Sequence, residues 1–323
     1  MDEFGLIARF FAPLARGEPG AMGLTDDAAV LALTPGERLV ATADGLVAGI
    51  HFPADDPPGD IARKLVRVNL SDLAAMGARP RALLLVAVFP RTVAEEWLAA
   101  FAEGLGRDIE AFDVPLAGGD TIAGDGPLTL ALTALGEAAP DRILTRGGAR
   151  AGDAVYVSGT IGDGTLGLMA LRGELDSLQS DAREAVIMRY RLPQPRLSLG
   201  RALAGTASAC IDVSDGLIAD LGHLCECSRL GARIEAAAVP HSPAVRAALD
   251  ADPGLRARLL GGGDDYELLF TAAPAREAEI VAAAREGGVP VRRIGTMVAG
   301  SGVEITDADA LGLDVASPGF RHF

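Results

Sequence analysis

Strand-like apolar runs alternate with stretches of helical spacing along this 323-residue chain, and the alternation limits the fold to the α/β class. In the first half "ERLVATADGLVAG" reads as a strand and "DIARKLVRVNLSDLAAMGA" as a helix stopping at Gly77 and Pro80. "RALLLVAVFP" reads as a buried strand, "TVAEEWLAAFAEGLGRDIEAF" as a long helix opened by Thr92, and "VPLAGGD" and "GPLTLALTALGEA" as further strands. The second half continues with a strand, glycine turn and helix in "DAVYVSGTIGDGTLGLMAL", an irregular proline segment "RLPQPRLSLGRAL", and a strand-to-helix unit in "ACIDVSDGLIADLGHL". "GGGDDYELLF" then reads as a turn into a strand, "AREAEIVAAAREGG" as a helix and "VPVRRIGTMV" as a strand.

The chain exceeds the ~150 residues typical of one domain, and the Pro- and Gly-rich "AAPDRILTRGGARAGD" marks a boundary, giving domains at 1–138 and 139–323. Phe4, Ile7, Phe10, Phe11 and Leu14 recur at helical spacing, which reads as an N-terminal amphipathic helix. That segment has acids before its first arginine and lacks the basic start of a secretory signal. No apolar run approaches the ~20 residues of a membrane span, so no membrane partner is expected. Cys210, Cys225 and Cys227 cannot all pair within the chain, which suits a reducing compartment and a cytoplasmic location. The formal charge of −15 argues against nucleic acid as a partner and implies cations wherever an anionic substrate is handled.

Five acidic stretches share one design, a carboxylate at a strand end, in a tight turn or at a helix start. They are "GLTDDAAV" with Asp26 and Asp27, "TADG" with Asp44, "NLSDLAAMG" with Asp72, "LAGGDT" with Asp120, and "IDVSDG" with Asp212 and Asp215. Alone, Asp72 is equally a first-turn acid that complements a helix dipole, and Asp120 a turn aspartate. Asp212, inside the apolar "ACIDV", needs a partner, because a buried unpaired carboxylate costs several kcal/mol. Mg²⁺ accommodates the whole set, since it takes oxygen ligands from one or two carboxylates together with water and phosphate oxygens. A P-loop is excluded, as no G-x-x-x-x-G-K-[ST] occurs and Lys64 is the only lysine. "SGTIGDGTLG" has a shape that offers backbone N–H groups to phosphate.

In order, "FGLIARFFAPLA", "DDAAVL", "DGLVAGIHF", "VNLSDLAAMGARP", "LAGGDT", "LTRGGARAGD", "YVSGTIGD", "IDVSDGLIADLGHL", "GGGDDYELLF" and "GFRHF" closely resemble the thiamine-monophosphate kinase family. The resemblance implies an α/β (α+β), two-domain fold like aminoimidazole ribonucleotide synthetase, with an N-terminal dimerising sheet, a C-terminal α/β domain and a homodimer. It further implies ATP-dependent, Mg²⁺-dependent phosphorylation of thiamine monophosphate, with no catalytic side chain assigned. By motif, Asp27, Thr42, Asp44, Asp72, Asp120, Asp212 and Asp215 are then metal ligands, and Gly119, Asp120, Arg146 and Ser214 contact ATP. His51, Asp264 and Phe320 contact thiamine monophosphate. Three motifs depart from the family pattern: "GLTDD" has Thr25 where glycine is expected, "TADG" has Ala43 and Gly45 where hydroxyl residues are common, and "GGGDDYE" has Asp264 where glutamate is usual. The relatives that depend on an N-terminal or C-terminal cysteine do not fit, because the first cysteine is Cys210 and the chain ends in "GFRHF". Aminoimidazole ribonucleotide synthetase is the enzyme alternative.

Overall fold

The computed structural model describes residues 3–175 and 178–311. Its contacts divide into two compact units, one of residues 1–73 and 78–140, the other of residues 74–77 and 141–323.

The first unit opens with a short helix α1 (Glu3–Leu6) that widens into a π turn (Ile7–Phe11) and tightens into a 3₁₀ turn (Ala12–Ala15). The sequence reading of one amphipathic helix is corrected here: Pro13 has no N–H to continue the ladder, so the helix changes pitch. Phe10 and Phe11 are nonetheless buried. The four-stranded sheet has the order β1 (Arg38–Val47), β4 (Thr129–Ala138), β2 (Arg79–Pro90), β3 (Leu116–Gly124). Only β2 and β3 are parallel in it.

Helices α2 (Pro58–Ala75) and α3 (Glu95–Ala111) cross so closely at Gly59 and Gly104 that a Cβ on Gly104 would lie 2.3 Å from the Gly59 carbonyl oxygen. Arg63 and Arg67 of α2 grip the fully buried Asp108 of α3 at 3.0 and 2.5 Å. Thr92 does not open α3. Its N-cap is Ala94, without a side-chain cap, and Glu95 and Glu96 supply the negative charge favoured at a helix start.

One face of this sheet is covered and one is open. Leu83, Leu85, Leu130, Leu132 and Ala134 are buried, whereas their alternating neighbours Leu39, Val86 and Ile122 are 40–48% exposed.

The second unit carries a six-stranded sheet in the order β10 (Gly302–Ile305), β7 (Gly231–Ile234), β9 (Val291–Val298), β5 (Ala154–Ser158), β8 (Leu268–Ala272), β6 (Ala209–Asp212). All its neighbours are antiparallel except β10 and β7. Its helices are α4 (Asp163–Leu171), α5 (Ser180–Arg191), α6 (Leu197–Leu203), α7 (Leu217–Ser228), α8 (Pro243–Ala251), α9 (Leu255–Gly261), α10 (Glu277–Gly287) and α11 (Ala308–Leu311).

Both faces are packed. Val155, Val157 and Ile211 join Leu217, Leu221 and Leu224 of α7 on one side, while Tyr156 and Phe270 join Leu199, Leu203 and Ile280 on the other. With both faces covered, every residue of β5 and β8 is buried, the polar Ser158 and Thr271 included. Ala74 and Ala75 belong to the second cluster. A Cβ on Gly200 would meet the Ala74 carbonyl at 1.9 Å, and Leu144 N donates to Met76 O at 3.1 Å. The segment expected to be irregular around Pro193 and Pro195 contains α6, because both prolines precede the helix rather than interrupt it. Among the described residues no helix is long and apolar enough to cross a membrane.

Candidate active site

In the first unit, strand alternation puts Thr42 and Asp44 on one face of β1, and helical spacing puts Asn69 and Asp72 on one face of α2. The two faces meet: Thr42 Oγ1 donates to Asp72 Oδ2 at 2.5 Å, and the Asp44 N–H donates to Asn69 Oδ1 at 3.0 Å. Asn69 is fully buried and donates through Nδ2 to Leu65 O at 2.9 Å. Sequence reading overlooked Asn69, although its i, i+3 relation to Asp72 was available. Ala43, between the two polar strand residues, is exposed on the open face.

Gly119 shares a row with this group: Asp44 pairs with Leu132, Leu132 with Leu85, and Leu85 with Gly119. At about 4.8 Å per strand the row is about 14 Å long. A Cβ on Gly119, whose φ is +151°, would sit 1.8 Å from the Leu85 carbonyl oxygen, so the close pairing there requires glycine. Asp120 lies one row over, in register with exposed Val86, and is itself exposed. It is on the open face, away from Thr42, Asp44 and Asp72. Asp27 is exposed in a bend in which its N–H donates to the Asp26 carboxylate at 2.9 Å. His51 follows β1 in a tight turn and accepts the Val47 N–H on Nδ1 at 3.0 Å, which leaves the proton on Nε2 in the neutral ring.

In the second unit β6 ends at the buried Asp212, and the turn Val213–Gly216 leads into α7. Segment 264–267 continues the pairing with this turn beyond the strands. Asp264 N donates to Ser214 O at 2.9 Å, Tyr266 N to Val213 O at 2.8 Å, and Val213 N to Glu267 O at 2.8 Å. Asp264 and Tyr266 both have left-handed backbones, with φ of 69° and 52°. Asp212, Ser214, Asp215 and Asp264 are therefore assembled at one end of the sheet.

Arg146 follows Thr145, whose carbonyl accepts from Cys210 N at 2.9 Å, two residues before Asp212. The Arg146 carbonyl accepts from Ser228 Oγ at 3.3 Å, so its backbone lies at the C-terminal end of α7. The Ser214 turn is at the other end of that helix, about 16 Å away at 1.5 Å per residue. Phe320 lies outside the described residues.

Three buried carboxylates not counted as site residues build the framework. Asp220 accepts from the N–H groups of Ser214, Asp215 and Gly216 at 3.0, 3.0 and 3.1 Å. Burial and then the Asp215 charge raise its carboxyl to about 7, against the pull of the N–H donors. Asp265 accepts from Gly162 N at 2.7 Å on one oxygen and Gly164 N at 2.9 Å on the other, and burial pushes it up to about 8. These N–H groups of the glycine loop are thus taken by the chain's own carboxylate, which corrects the reading of that loop as a phosphate cradle. Glu267, fully buried, accepts from Ser158 Oγ at 2.5 Å and pairs with Arg189 and Arg196.

Among the described residues no group of three or more His, Cys, Asp or Glu side chains forms a ready-made metal cage. The donors that are gathered, Thr42 with Asp72 and the Asp212–Asp215 turn, are oxygen donors in ones and twos. That is the form Mg²⁺ sites take when phosphate and water complete the shell, so these residues fit the ion.

The family description AIR synthase related protein, N-terminal domain, matches residues 25–138, and its C-terminal domain counterpart matches residues 150–308. The chain is 44% identical to a thiamine-monophosphate kinase of Caulobacter vibrioides over 93% of this chain and 85% of that protein. It is 40% identical to that of Escherichia coli over 99% and 98%. Among solved structures, the thiamine-monophosphate kinase from Stenotrophomonas maltophilia aligns with a TM-score of 0.84 at 38% identity, covering 92% of this chain and 96% of that one. AaThiL complexed with AMPPCP and TMP aligns at 0.79 and 29%, covering 99% and 97%.

Proposed function

The chain belongs to the thiamine-monophosphate kinase family, and from that premise we propose that it transfers the γ-phosphoryl group of ATP directly, in line, to the phosphate of thiamine monophosphate. The observation that carries this reading is the chemistry of the side chains brought together within each unit: Thr42, Asp44 and Asp72 in the first and Asp212, Ser214 and Asp215 in the second all present oxygen, and neither group holds a nucleophile–base pair. The acceptor is a phosphate monoester whose second pKa is about 6. Its attacking oxygen is already an anion at neutral pH, so no strong base has to deprotonate it.

What remains is to bring two anions together. Thr42, Asp44 and Asp72 in the first unit, and Asp212 and Asp215 in the second, are the residues that would hold Mg²⁺. Asp27 and Asp120 are assigned as further ligands by family resemblance alone. When bound, the ion supplies neutralising charge to the phosphate oxygens. Gly119, Asp120, Arg146 and Ser214 are assigned to ATP by the same resemblance. His51, whose Nδ1 already accepts the Val47 N–H, is assigned to thiamine monophosphate as a donor through Nε2–H, and Asp264 and Phe320 are assigned to the same substrate, an aromatic ring suiting a cationic thiazolium.

A homodimer is supported by the open sheet face, where Leu39, Val86 and Ile122 stand 40–48% exposed. Three free cysteines, Cys227 among them exposed, support work in the reducing cytoplasm.

The test is direct detection of thiamine diphosphate from Mg·ATP and thiamine monophosphate, beside Asp212→Asn and a metal-free control. Product from the native chain alone supports the reading. A phosphorylated protein that thiamine monophosphate discharges would overturn direct transfer, and no product despite Mg·ATP binding would favour ribonucleotide-synthetase chemistry.

A further inference from the structure

The stretch "IDVSDGLIADLG" holds three carboxylates, and the proposed reaction uses two. Asp220, the third, is 2% exposed in the first turn of α7. Its Oδ2 alone receives three consecutive backbone N–H groups, those of Ser214, Asp215 and Gly216. Its own N–H closes the first helical bond to Gly216 O at 3.0 Å. Gly216 occupies the N-cap position with φ of 120° and has no capping side chain. The carboxylate therefore reaches back from inside the helix and fixes three peptide planes at once. On its other side the turn is tied by the bond from Asp264 N to Ser214 O, and a Cβ on Gly263 would lie 2.0 Å from that same oxygen. Held from both sides, the backbone leaves the side chains of Ser214 and Asp215 only partly buried.

We propose that Asp220 is a positioning residue for nucleotide and metal binding, setting the Ser214 hydroxyl and the Asp215 carboxylate through the peptide planes it holds. The inference rests on the roles given above to Ser214 and Asp215. All three bonds converge on one oxygen, so the geometry asks for an acceptor at that point rather than for a charge. An amide oxygen satisfies it, whereas a carboxylate displaced by one methylene does not.

The test compares Asp220→Asn, Asp220→Glu and Asp220→Ala by calorimetric titration of a non-hydrolysable ATP analogue at varied Mg²⁺, together with thermal melting without ligand and the KM for thiamine monophosphate. Asp220→Asn should bind the Mg·nucleotide within a few-fold of native. Asp220→Glu and Asp220→Ala should weaken it by about tenfold or more, the factor that 1.4 kcal/mol represents, with the KM for thiamine monophosphate little changed. If Asp220→Ala does not fold, the Asn and Glu pair still decides. Native-like binding by Asp220→Glu with loss in Asp220→Asn would show that charge matters and overturn the proposal, as would native-like binding by a folded Asp220→Ala. A native chain that binds Mg·nucleotide but makes no thiamine diphosphate would remove the assigned reaction and leave the positioning role standing. A native chain that does not bind Mg·nucleotide would overturn both.

Discussion

Asn69 holds the backbone of Asp44: its side-chain oxygen accepts the Asp44 N–H at 3.0 Å while its amide nitrogen donates to the Leu65 carbonyl at 2.9 Å. Asn69→Asp should replace the second bond with a carboxylate facing a carbonyl, in a site with no exposure. Losing a buried hydrogen bond costs about 1–3 kcal/mol and an added buried charge more. The denaturation midpoint should fall at unchanged slope, and the Mg²⁺ requirement should rise with it. An unchanged midpoint would show that Asp44 is held by other means.

Thr42→Val removes the hydroxyl that donates to Asp72 at 2.5 Å while conserving volume. A hydrogen bond to a charged group contributes about 1.5–3 kcal/mol. Half-saturation by Mg²⁺ in the kinase assay should therefore shift upward about tenfold, with Thr42→Ser close to native. Equal behaviour of Val and Ser variants would remove Thr42 from the metal set.

These two groups are the part of the site most legible in the sequence. Thr42 and Asp44 follow the period of a strand, and Asn69 and Asp72 that of a helix, so each pair declares its face locally. The placement of Asp120 was not legible, because it depends on the register of β3 against β2 and on a bulge between Leu83 and Leu84. Nor was the capture of Gly162 and Gly164 by Asp265, a contact about a hundred residues away that leaves no periodic trace. Helix α5 escaped for another reason: its charged sequence "SDAREAVIMRYR" buries only Val186 and Tyr190.

Gly263→Ala places a Cβ 2.0 Å from the Ser214 carbonyl oxygen and 3.2 Å from the Asp215 Cα. Both obstacles are backbone, so the turn has to move, at about 1–3 kcal/mol for overpacking. Mg·ATP binding should fall at least tenfold. Gly126→Ala, with nothing within 4 Å of the added atom, should match native in binding and melting temperature.

Asp265 gives a pH signature. Burial raises its carboxyl to about 8, with Asp163 raising it further and Arg189 and the two N–H donors opposing. The folded state then holds a proton that the unfolded chain releases near pH 4, so this group's contribution to stability falls as pH rises from about 4 to about 8. Melting temperature followed across that range should decline less steeply in Asp265→Asn. That variant should also melt lower throughout, because its amide nitrogen cannot accept an N–H, whereas each oxygen of Asp265 accepts one and keeps acceptor capacity whether or not the carboxyl is protonated. A parallel pH profile in the two proteins would refute the assignment.

The four residues Ala74–Gly77, counted with the second unit, bear on the order in which the chain is made. During synthesis they leave the ribosome well before the strands they serve, so they must wait for the second core and be recruited to it late. A polypeptide starting at 141 would have Leu199 and Leu203 facing a gap where Ala74 and Ala75 belong, and its Leu144 amide without the Met76 carbonyl. Splitting the gene between its two halves should therefore yield a C-terminal product that aggregates alone. A short peptide spanning 74–77, supplied in trans, tests whether those few atoms are what it lacks.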